Sequence, residues 1–312
     1  MKYWTARPQP PSRAALQNGG PAIYGIWGKA AALPILFSFL LIFMALAGAC
    51  RHPVPHQQPP PQVAIEPLNF QISSGEDHYQ IEGYFAHSAQ PGKMPALLVL
   101  NGDGGNARQC INHILQFAAL QIRLACISLP GYGKSSGPSR FVGPQSIEAA
   151  RRGLDLVAAR PEVDPSRLAI WGIADGAVAA GLLMDSDRRA HAVILQSGAY
   201  DLLKLWPGAP IGTKLSILRQ VWPSKRVLQE RSVIENMPNK LDCNVLILHG
   251  KQDRKTPVNQ AEQLARALRE HGAHVKTLFF ADGSHRLGKM VDQPLRDFLR
   301  ANLAPPSSGG NS

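Results

Sequence analysis

Apolar and polar residues alternate along residues 63–304 in the order expected of repeated β–α units. The run 96–100 is continuously apolar, which is typical of a strand buried on both faces. The stretch 258–271 has apolar residues at helical spacing and is followed by Gly272, a residue that ends helices. The pattern predicts strands over 66–73, 78–86, 96–100, 122–128, 168–171, 192–195, 244–248 and 274–280, and helices over 107–120, 146–159, 175–184, 258–271 and 294–303. Two leading strands followed by such units predict an α/β fold, a mostly parallel sheet with helices on both faces.

Residues 199–241 interrupt this rhythm, because they contain Trp206, Trp222 and prolines but no clear strand. An insertion at this point is expected over the carboxyl ends of the strands, where ligands bind in open α/β sheets. We therefore predict a small lid-like insertion. The alternative is a surface excursion with its own small core.

The N-terminal segment differs from the rest in charge and hydropathy. Residues 1–62 contain no Asp or Glu, and residues 30–49 form an uncharged apolar run between Lys29 and Cys50. A basic residue, an apolar run and small residues together are typical of an export signal. Residues 46–50 also resemble the bacterial lipoprotein box, in which the thiol of Cys50 would accept a diacylglycerol.

Residues 1–49 are therefore predicted to be a signal peptide or a membrane anchor. Lipidation at Cys50 predicts a lipoprotein of the cell envelope, exported and held at the periplasmic face of a membrane. The alternatives are an uncleaved anchor, since about 20 apolar residues span a bilayer, and secretion after cleavage.

Residues 50–62 are rich in Pro and Gln and predict an extended tether, and 305–312 predict a disordered tail. The segment between them, 63–304, is long enough for one domain.

The overall composition narrows the function classes. The chain of 312 residues is 45% hydrophobic and 18% charged, which excludes global disorder. Four basic residues of its net charge of +11 precede residue 50. No cluster of Lys and Arg is interleaved with aromatic residues, so we do not expect nucleic acid as a partner.

Three loops that directly follow predicted strands carry candidate chemistry. The first is 101–105, the second is 172–176, and the third combines Asp253 with His285. Residues 102–107 also fit a dinucleotide-binding pattern, but no acidic residue follows before Glu148 to hold a ribose. No Cys and His spacing matches a zinc site. We therefore expect neither a cofactor nor a metal.

These loops resemble those of the α/β-hydrolase superfamily, specifically its dienelactone hydrolase-like and prolyl oligopeptidase-like branches. The resemblance rests on 163–177, on 248–257 and on 129–135. It implies the α/β-hydrolase fold and a catalytic triad in the order nucleophile, acid, histidine, with the nucleophile in a G-x-S-x-G elbow. It further implies that Asp253 is the acid and His285 the base.

The chain departs from this pattern at the nucleophile, where Ala174 occupies the serine position between Gly172 and Gly176. The resemblance implies an oxyanion hole formed by the N–H groups of Asp175 and Asp103. The carboxylate of Asp175 is an alternative nucleophile, but it would point in a different direction from a residue at 174. Three further serines near strand ends lie outside any elbow and are expected to be structural: Ser128, Ser197 and Ser284.

Three hypotheses about function follow. The first is an envelope lipoprotein of ester or peptide hydrolase lineage that has lost its nucleophile, a pseudoenzyme that binds a small ester- or amide-like ligand or a peptide. The second is an active hydrolase with a relocated nucleophile or a directly activated water. The third is a structural envelope lipoprotein with a vestigial cleft.

The remaining cysteines are Cys110, Cys126 and Cys243. We expect Cys126 and Cys243 to act as small hydrophobic residues in buried strands. A Cys110–Cys126 disulfide is the alternative, because an exported compartment permits one.

Overall fold

In the computed structural model, the described residues are 62–102, 104–111 and 114–305, with side chains described outside 114–116. The strands are β1 (Val63–Pro67), β2 (Phe70–Ser74), β3 (Asp77–Ile81), β4 (Gly83–Ser88), β5 (Met94–Asn101), β6 (Arg123–Ser128), β7 (Val163–Ile173), β8 (Ala190–Gln196), β9 (Asn244–Gly250) and β10 (His274–Phe280). The α-helices are α1 (Ala107–Ile111), α2 (Ile114–Ala119), α3 (Pro144–Ala158), α4 (Asp175–Ser186), α5 (Leu202–Gly208), α6 (Ile211–Leu218), α7 (Lys225–Glu230), α8 (Asn259–Glu270) and α9 (Asp292–Leu303).

Eight strands form one sheet in the order β1-β4-β6-β5-β7-β8-β9-β10. β4 pairs antiparallel with both β1 and β6, and every pair from β6 to β10 is parallel. This is the mostly parallel sheet that the sequence predicts. Because the strands from β5 onward run in the same direction, their carboxyl ends meet at one edge, where ligands bind in open α/β sheets.

Helices cover both faces of this sheet and bury its apolar side chains. Leu98 and Leu100 of β5 face the side covered by α3, α4 and α8. Leu97 and Val99 alternate to the other side, where they pack with residues of α1, α2 and α9. A strand covered on both faces needs apolar residues at every position, which explains the continuous run at 96–100.

The leading strands correct the prediction made from the pattern. Both predicted leading strands are divided: 66–73 covers the end of β1 and most of β2, and 78–86 covers parts of β3 and β4. The second division occurs because the chain changes partners at Glu82 and Gly83. β2 and β3 form a separate antiparallel pair, whereas β4 joins the main sheet. A Cβ on Gly83 would lie 2.4 Å from the carbonyl oxygen of Leu68. Only glycine permits this close approach of the two chain segments.

The disulfide assignment also differs from the first expectation. Cys110 of α1 and Cys126 of β6 are bonded, with their Cα atoms 6.2 Å apart, while the thiol of Cys243 is free. The expectation that Cys126 is a free thiol is therefore wrong, and the alternative pairing is the one observed. The bond joins α1 to the strand that follows it.

Residues 199–241 form three short helices, a 3-10 turn and no strand. They have a small apolar cluster of their own, to which Leu202, Leu205 and Ile217 contribute. Within the described ranges, no helix is both long and apolar enough to cross a membrane. The predicted signal or anchor at 1–49, Cys50 and the tether up to residue 61 lie outside those ranges, as does the tail from residue 306.

Candidate active site

A sharp turn joins the end of β7 to the start of α4, and Ala174 lies at its apex. Its φ of 52° and ψ of −115° fall in a region that L-residues rarely adopt. The N–H group of Ala174 donates to the carbonyl of Gln196 at the end of β8 at 2.9 Å. The backbone at 174 therefore has the strained conformation of a nucleophile elbow, while its side chain is a methyl group.

The flanking glycines are required by close packing of the main chain. A Cβ on Gly172 would lie 2.2 Å from the carbonyl oxygen of Gly176, and one on Gly176 would lie 1.9 Å from that of Leu100. A Cβ on Gly102 would meet the backbone nitrogen of Asp175 at 2.5 Å. Contacts this short are impossible for any side chain, so the three glycines bring the turn, β5 and the loop after β5 together.

The predicted acid and base meet at the same edge of the sheet. Asp253 follows β9 and His285 follows β10, and His285 Nδ1 lies 2.8 Å from Asp253 Oδ2. With the Nδ1 proton donated to the carboxylate, Nε2 carries the lone pair of the imidazole. The carboxylate thus orients the imidazole ring, and Nε2 is the nitrogen that would accept a proton in a hydrolase.

Donors from the same loop fix the carboxylate of Asp253. Its Oδ1 accepts the backbone N–H groups of Lys255 and Thr256 at 2.8 and 2.9 Å, and its Oδ2 accepts the hydroxyl of Thr256 at 2.8 Å. The fully buried His249 places Nε2 3.3 Å from Oδ2 and donates to the Thr256 carbonyl at 2.8 Å. His249 and Thr256 are the functional residues that sequence reasoning missed, although both lie in the motif 248–257.

These contacts determine the charge of the acid. Burial alone would raise the pKa of Asp253, but hydrogen bonds from His249, His285 and Thr256 outweigh it and hold the pKa well below its usual value of 3.8. Asp253 is therefore an anion at neutral pH, as a carboxylate that orients a catalytic histidine must be.

Two cavities meet at Ala174 and His285. The first, of about 330 Å³, is also lined by Asn101, Gln109 and Trp171, and the second, of about 280 Å³, by residues of the insertion and by Tyr132. Both cavities include Ala174 and His285 in their walls. A ligand bound in either one would therefore contact the histidine and the position where the nucleophile of a hydrolase would lie.

The candidate oxyanion donors are only partly described. Asp175 is the first residue of α4, where backbone N–H groups have no acceptor within the helix. Its carboxylate accepts a hydrogen bond from the hydroxyl of Tyr132 at 2.6 Å. Asp103 lies outside the described residues, so its predicted role stays a prediction.

Burial differs among the three serines that lie near strand ends outside the elbow. Ser128 Oγ donates to Glu82 Oε2 at 2.9 Å and is fully buried. Ser197 is fully buried as well, and Ser284 Oγ lies 3.5 Å from the carbonyl oxygen of Arg286. Burial of Ser128 and Ser197 fits the structural role expected for them. Across 62–102, 104–111 and 114–305, no group of three His, Cys, Asp or Glu side chains is arranged to hold a metal ion.

The region that carries the elbow, the acid and the base matches a known protein family. The Prolyl oligopeptidase family matches residues 143–301, which include the elbow, Asp253 and His285. The chain belongs to the prolyl oligopeptidase family. This is one of the two branches that the sequence motifs indicate, and it confirms the α/β-hydrolase fold.

Individual relatives share only about a quarter of their aligned residues with this chain. The chain is 25% identical over 241 residues to an uncharacterized peptidase, YuxL, of Bacillus subtilis, covering 73% of this chain and 36% of that protein. It is 26% identical over 239 residues to acylamino-acid-releasing enzyme 2 of Oryza sativa, covering 70% of this chain and 30% of the enzyme. The chain thus spans about a third of the length of these two relatives.

Solved structures share the fold at lower identity. An acylaminoacyl peptidase in complex with Z-Gly-Gly-Phe-chloromethyl ketone has a TM-score of 0.63 at 16% identity, over 79% of this chain and 43% of the peptidase. A Paenibacillus acetyl xylan esterase has a TM-score of 0.63 at 19% identity, over 85% of this chain and 94% of the esterase. At identities this low, the similarity shows a shared fold only.

Proposed function

We propose that this chain is a binding protein of hydrolase lineage that holds a small ester- or amide-like ligand, or a peptide, without forming an acyl-enzyme. The observation that carries the proposal is Ala174, a methyl group at the apex of a strained elbow. A methyl group has no lone pair with which to attack a carbonyl carbon. The space around it remains a cavity shared with His285, so a carbonyl ligand has a place to bind.

The magnitude of the loss supports a binding role. In a serine protease of another fold, removing the nucleophile or the histidine lowers turnover by about 10⁶-fold, or roughly 8 kcal/mol of barrier. Acyl transfer through position 174 would be negligible after such a loss. What survives such a loss is ligand binding and any oxyanion stabilisation by backbone N–H groups.

The test is to restore the hydroxyl and measure hydrolysis of p-nitrophenyl esters of several chain lengths. Ala174→Ser is expected to raise turnover above the wild-type background, by up to about 10⁶-fold if the rest of the site is intact. The matched control is the double variant Ala174→Ser with His285→Ala, which should return to the background. Wild-type turnover that disappears in His285→Ala alone would overturn the proposal.

A second candidate function is supported by the intact acid and base. Because His285 Nδ1 is 2.8 Å from Asp253 Oδ2, Nε2 is oriented to accept a proton from a water molecule instead of a serine. Such an enzyme would hydrolyse its substrate without a covalent intermediate. Turnover by the wild type that requires His285 but leaves no adduct on the protein would favour this candidate.

We also propose that the chain is a lipoprotein of the cell envelope, held to a membrane through Cys50. The support is the apolar run 30–49 directly before Cys50, with basic residues and no acidic residue ahead of it. Growth of a bacterial host with radiolabelled palmitate should label the wild type and leave Cys50→Ala unlabelled. Membrane association without label would favour an uncleaved anchor, and release into the medium would favour secretion.

A further inference from the structure

The helix α6 in the insertion has an exposed apolar face. Ile211 is 73% exposed, Leu215 45% and Leu218 42%, and Trp222, just beyond the helix, is 79% exposed. The first three are spaced by four and three residues, which places them on one side of the helix. This is the reverse of an ordinary surface helix, whose outward side is polar.

The opposite side of the same helix faces the second cavity and carries polar residues beside the buried Ile217. Thr213 and Ser216 of the helix line that cavity together with His285, as does Gln220, which lies two residues beyond the end of the helix. Thr213 donates its hydroxyl to the carbonyl of Lys255 at 2.9 Å, and Gln220 Oε1 accepts the N–H of Phe141 at 3.1 Å. These bonds to two other loops fix the rotation of the helix, so the apolar face is held outward.

The charge around this face has one sign. Residues 202–229 contain five basic residues and no acidic one. Four of them are exposed and Lys214 is half-buried, with its Nζ 5.8 Å from the ring centre of Trp206. Acidic partners stand only at the two borders, where Asp201 pairs with Lys204 and Glu230 with Arg226. The five are Lys204, Lys214, Arg219, Lys225 and Arg226.

We propose that this surface, formed by Ile211, Leu215, Leu218 and Trp222, docks on the interfacial region of a bilayer that contains anionic lipids. An apolar face bordered by Lys and Arg, with Trp at its edge, is the composition of helices that lie in a membrane interface. Lipid headgroups of negative charge complement the basic residues of this segment, of which Lys204 and Arg226 also contact a carboxylate of the chain. A second copy of the chain does not, because symmetric docking would bring two sets of positive charges together.

The docking surface is separated from the cavity by a single helix. Thr213 and Ser216 contact the cavity on one side of α6, while Ile211 and Leu215 are exposed on the other. Since a helix with its side chains is about 10 Å across, docking would hold the cavity with His285 next to the lipid headgroups. The inference does not depend on lipidation at Cys50, because it concerns how the insertion contacts a membrane.

The test uses an environment-sensitive fluorescent amino acid at position 222 of the full chain. The matched control carries the same amino acid at Ala301, an exposed position on α9. Each protein is mixed with vesicles of phosphatidylcholine alone and with vesicles of equal parts phosphatidylcholine and phosphatidylglycerol. We expect a blue shift and quenching by acyl-chain nitroxide lipids at position 222 in the anionic vesicles, and no change at position 301.

The charges are tested by the double variant Lys225→Gln with Arg226→Gln, at two exposed positions. The ratio of inserted to free probe at 222 is expected to fall about five-fold for each charge removed. An unchanged ratio would contradict the role of anionic lipid. A probe at 222 that stays solvent-exposed in anionic vesicles would overturn the proposal. A blue shift that appears without lipid as protein concentration rises would overturn it in favour of a second copy.

Discussion

The elbow and the two loops that carry Asp253 and His285 are parts of the candidate active site, and different interactions hold them in place. At the elbow, Gly172 and Gly176 pack against backbone atoms, and no side-chain hydrogen bond caps the helix start at Ala174. In the loops after β9 and β10, hydrogen bonds to an ionised carboxylate fix Asp253 and His285. This difference explains how the elbow keeps its conformation with a methyl group at position 174: the turn is held by main-chain packing, which does not involve the side chain at 174.

The largest expected effect is a loss of stability at the elbow, and it tests the main-chain packing there. Gly176→Ala would place a Cβ 1.9 Å from the carbonyl oxygen of Leu100, in the buried strand β5. Because that backbone cannot move aside without disturbing the sheet, we expect a loss of about 3 kcal/mol in the free energy of unfolding. Urea denaturation at neutral pH measures it.

The matched control is Gly208→Ala in α5, where no heavy atom lies within 4 Å of the added Cβ. This change should alter the free energy of unfolding by less than about 1 kcal/mol. Similar losses in the two variants would show that the elbow is not held by close packing.

The second-largest effect is expected at Asp253, and it tests the hydrogen bonds that hold the acid and the base. Asp253→Asn replaces one carboxylate oxygen by an NH2 group, and at the position of Oδ2 this group cannot accept the hydrogen bonds of the Thr256 hydroxyl and His285 Nδ1. We expect a loss of about 2–3 kcal/mol, because a buried group is left without its partners. The control Asp282→Asn, at an exposed loop position, should stay within about 0.5 kcal/mol of the wild type.

The same variant has a predicted pH dependence. The pKa of Asp253 in the folded chain lies below its usual value of 3.8, so in acid the unfolded chain binds the proton first. The contribution of the Asp253 carboxylate to stability is complete above about pH 5, begins to decrease near its unfolded pKa, and is lost as the pH falls through its lower folded pKa. The free energy of unfolding should therefore decline less steeply in acid for Asp253→Asn than for the wild type. Parallel curves would contradict the assignment.

The smallest effect tests the strain at the apex. Ala174→Gly removes the Cβ at a φ of 52° and ψ of −115°, a conformation that costs alanine of the order of 1–3 kcal/mol. After the entropy of glycine is subtracted, we expect the variant to be about 1 kcal/mol more stable than the wild type.

Ala301→Gly in α9 is the control of opposite sign, since glycine in an exposed helix costs up to about 1 kcal/mol. Denaturant unfolding of both variants measures the sign of each change in the free energy of unfolding. Destabilisation at both positions would mean that the apex is not strained.

Much of the arrangement could be predicted from the sequence because it follows from local patterns. The strand at β10 has the predicted bounds. The family resemblance implies that Asp253 and His285 pair, and their side chains lie 2.8 Å apart. The division of 78–86 could not be predicted, since both halves alternate like one strand and the partner change depends on the distant Leu68. The role of His249 was missed for a related reason: it is a buried strand residue whose contact with Asp253 arises only when the loop folds back.

The outward rotation of α6 was not predicted either. Its apolar residues at helical spacing are compatible with burial on either side, and only the contacts of Thr213 and Gln220 determine which side faces the cavity. Sequence reasoning did predict both alternatives for the insertion, a cover over the site and a small separate core, and the structure has features of each.

The most direct test of the account is covalent labelling at position 174 with an activated phosphonate ester, read by intact-protein mass spectrometry. The account predicts no adduct on the wild type and one adduct at position 174 in Ala174→Ser. It also predicts that the adduct is lost when His285→Ala is added, because the serine hydroxyl then has no base. An adduct on the wild-type protein that depends on His285 would contradict the account, since it would place an active nucleophile elsewhere in the site.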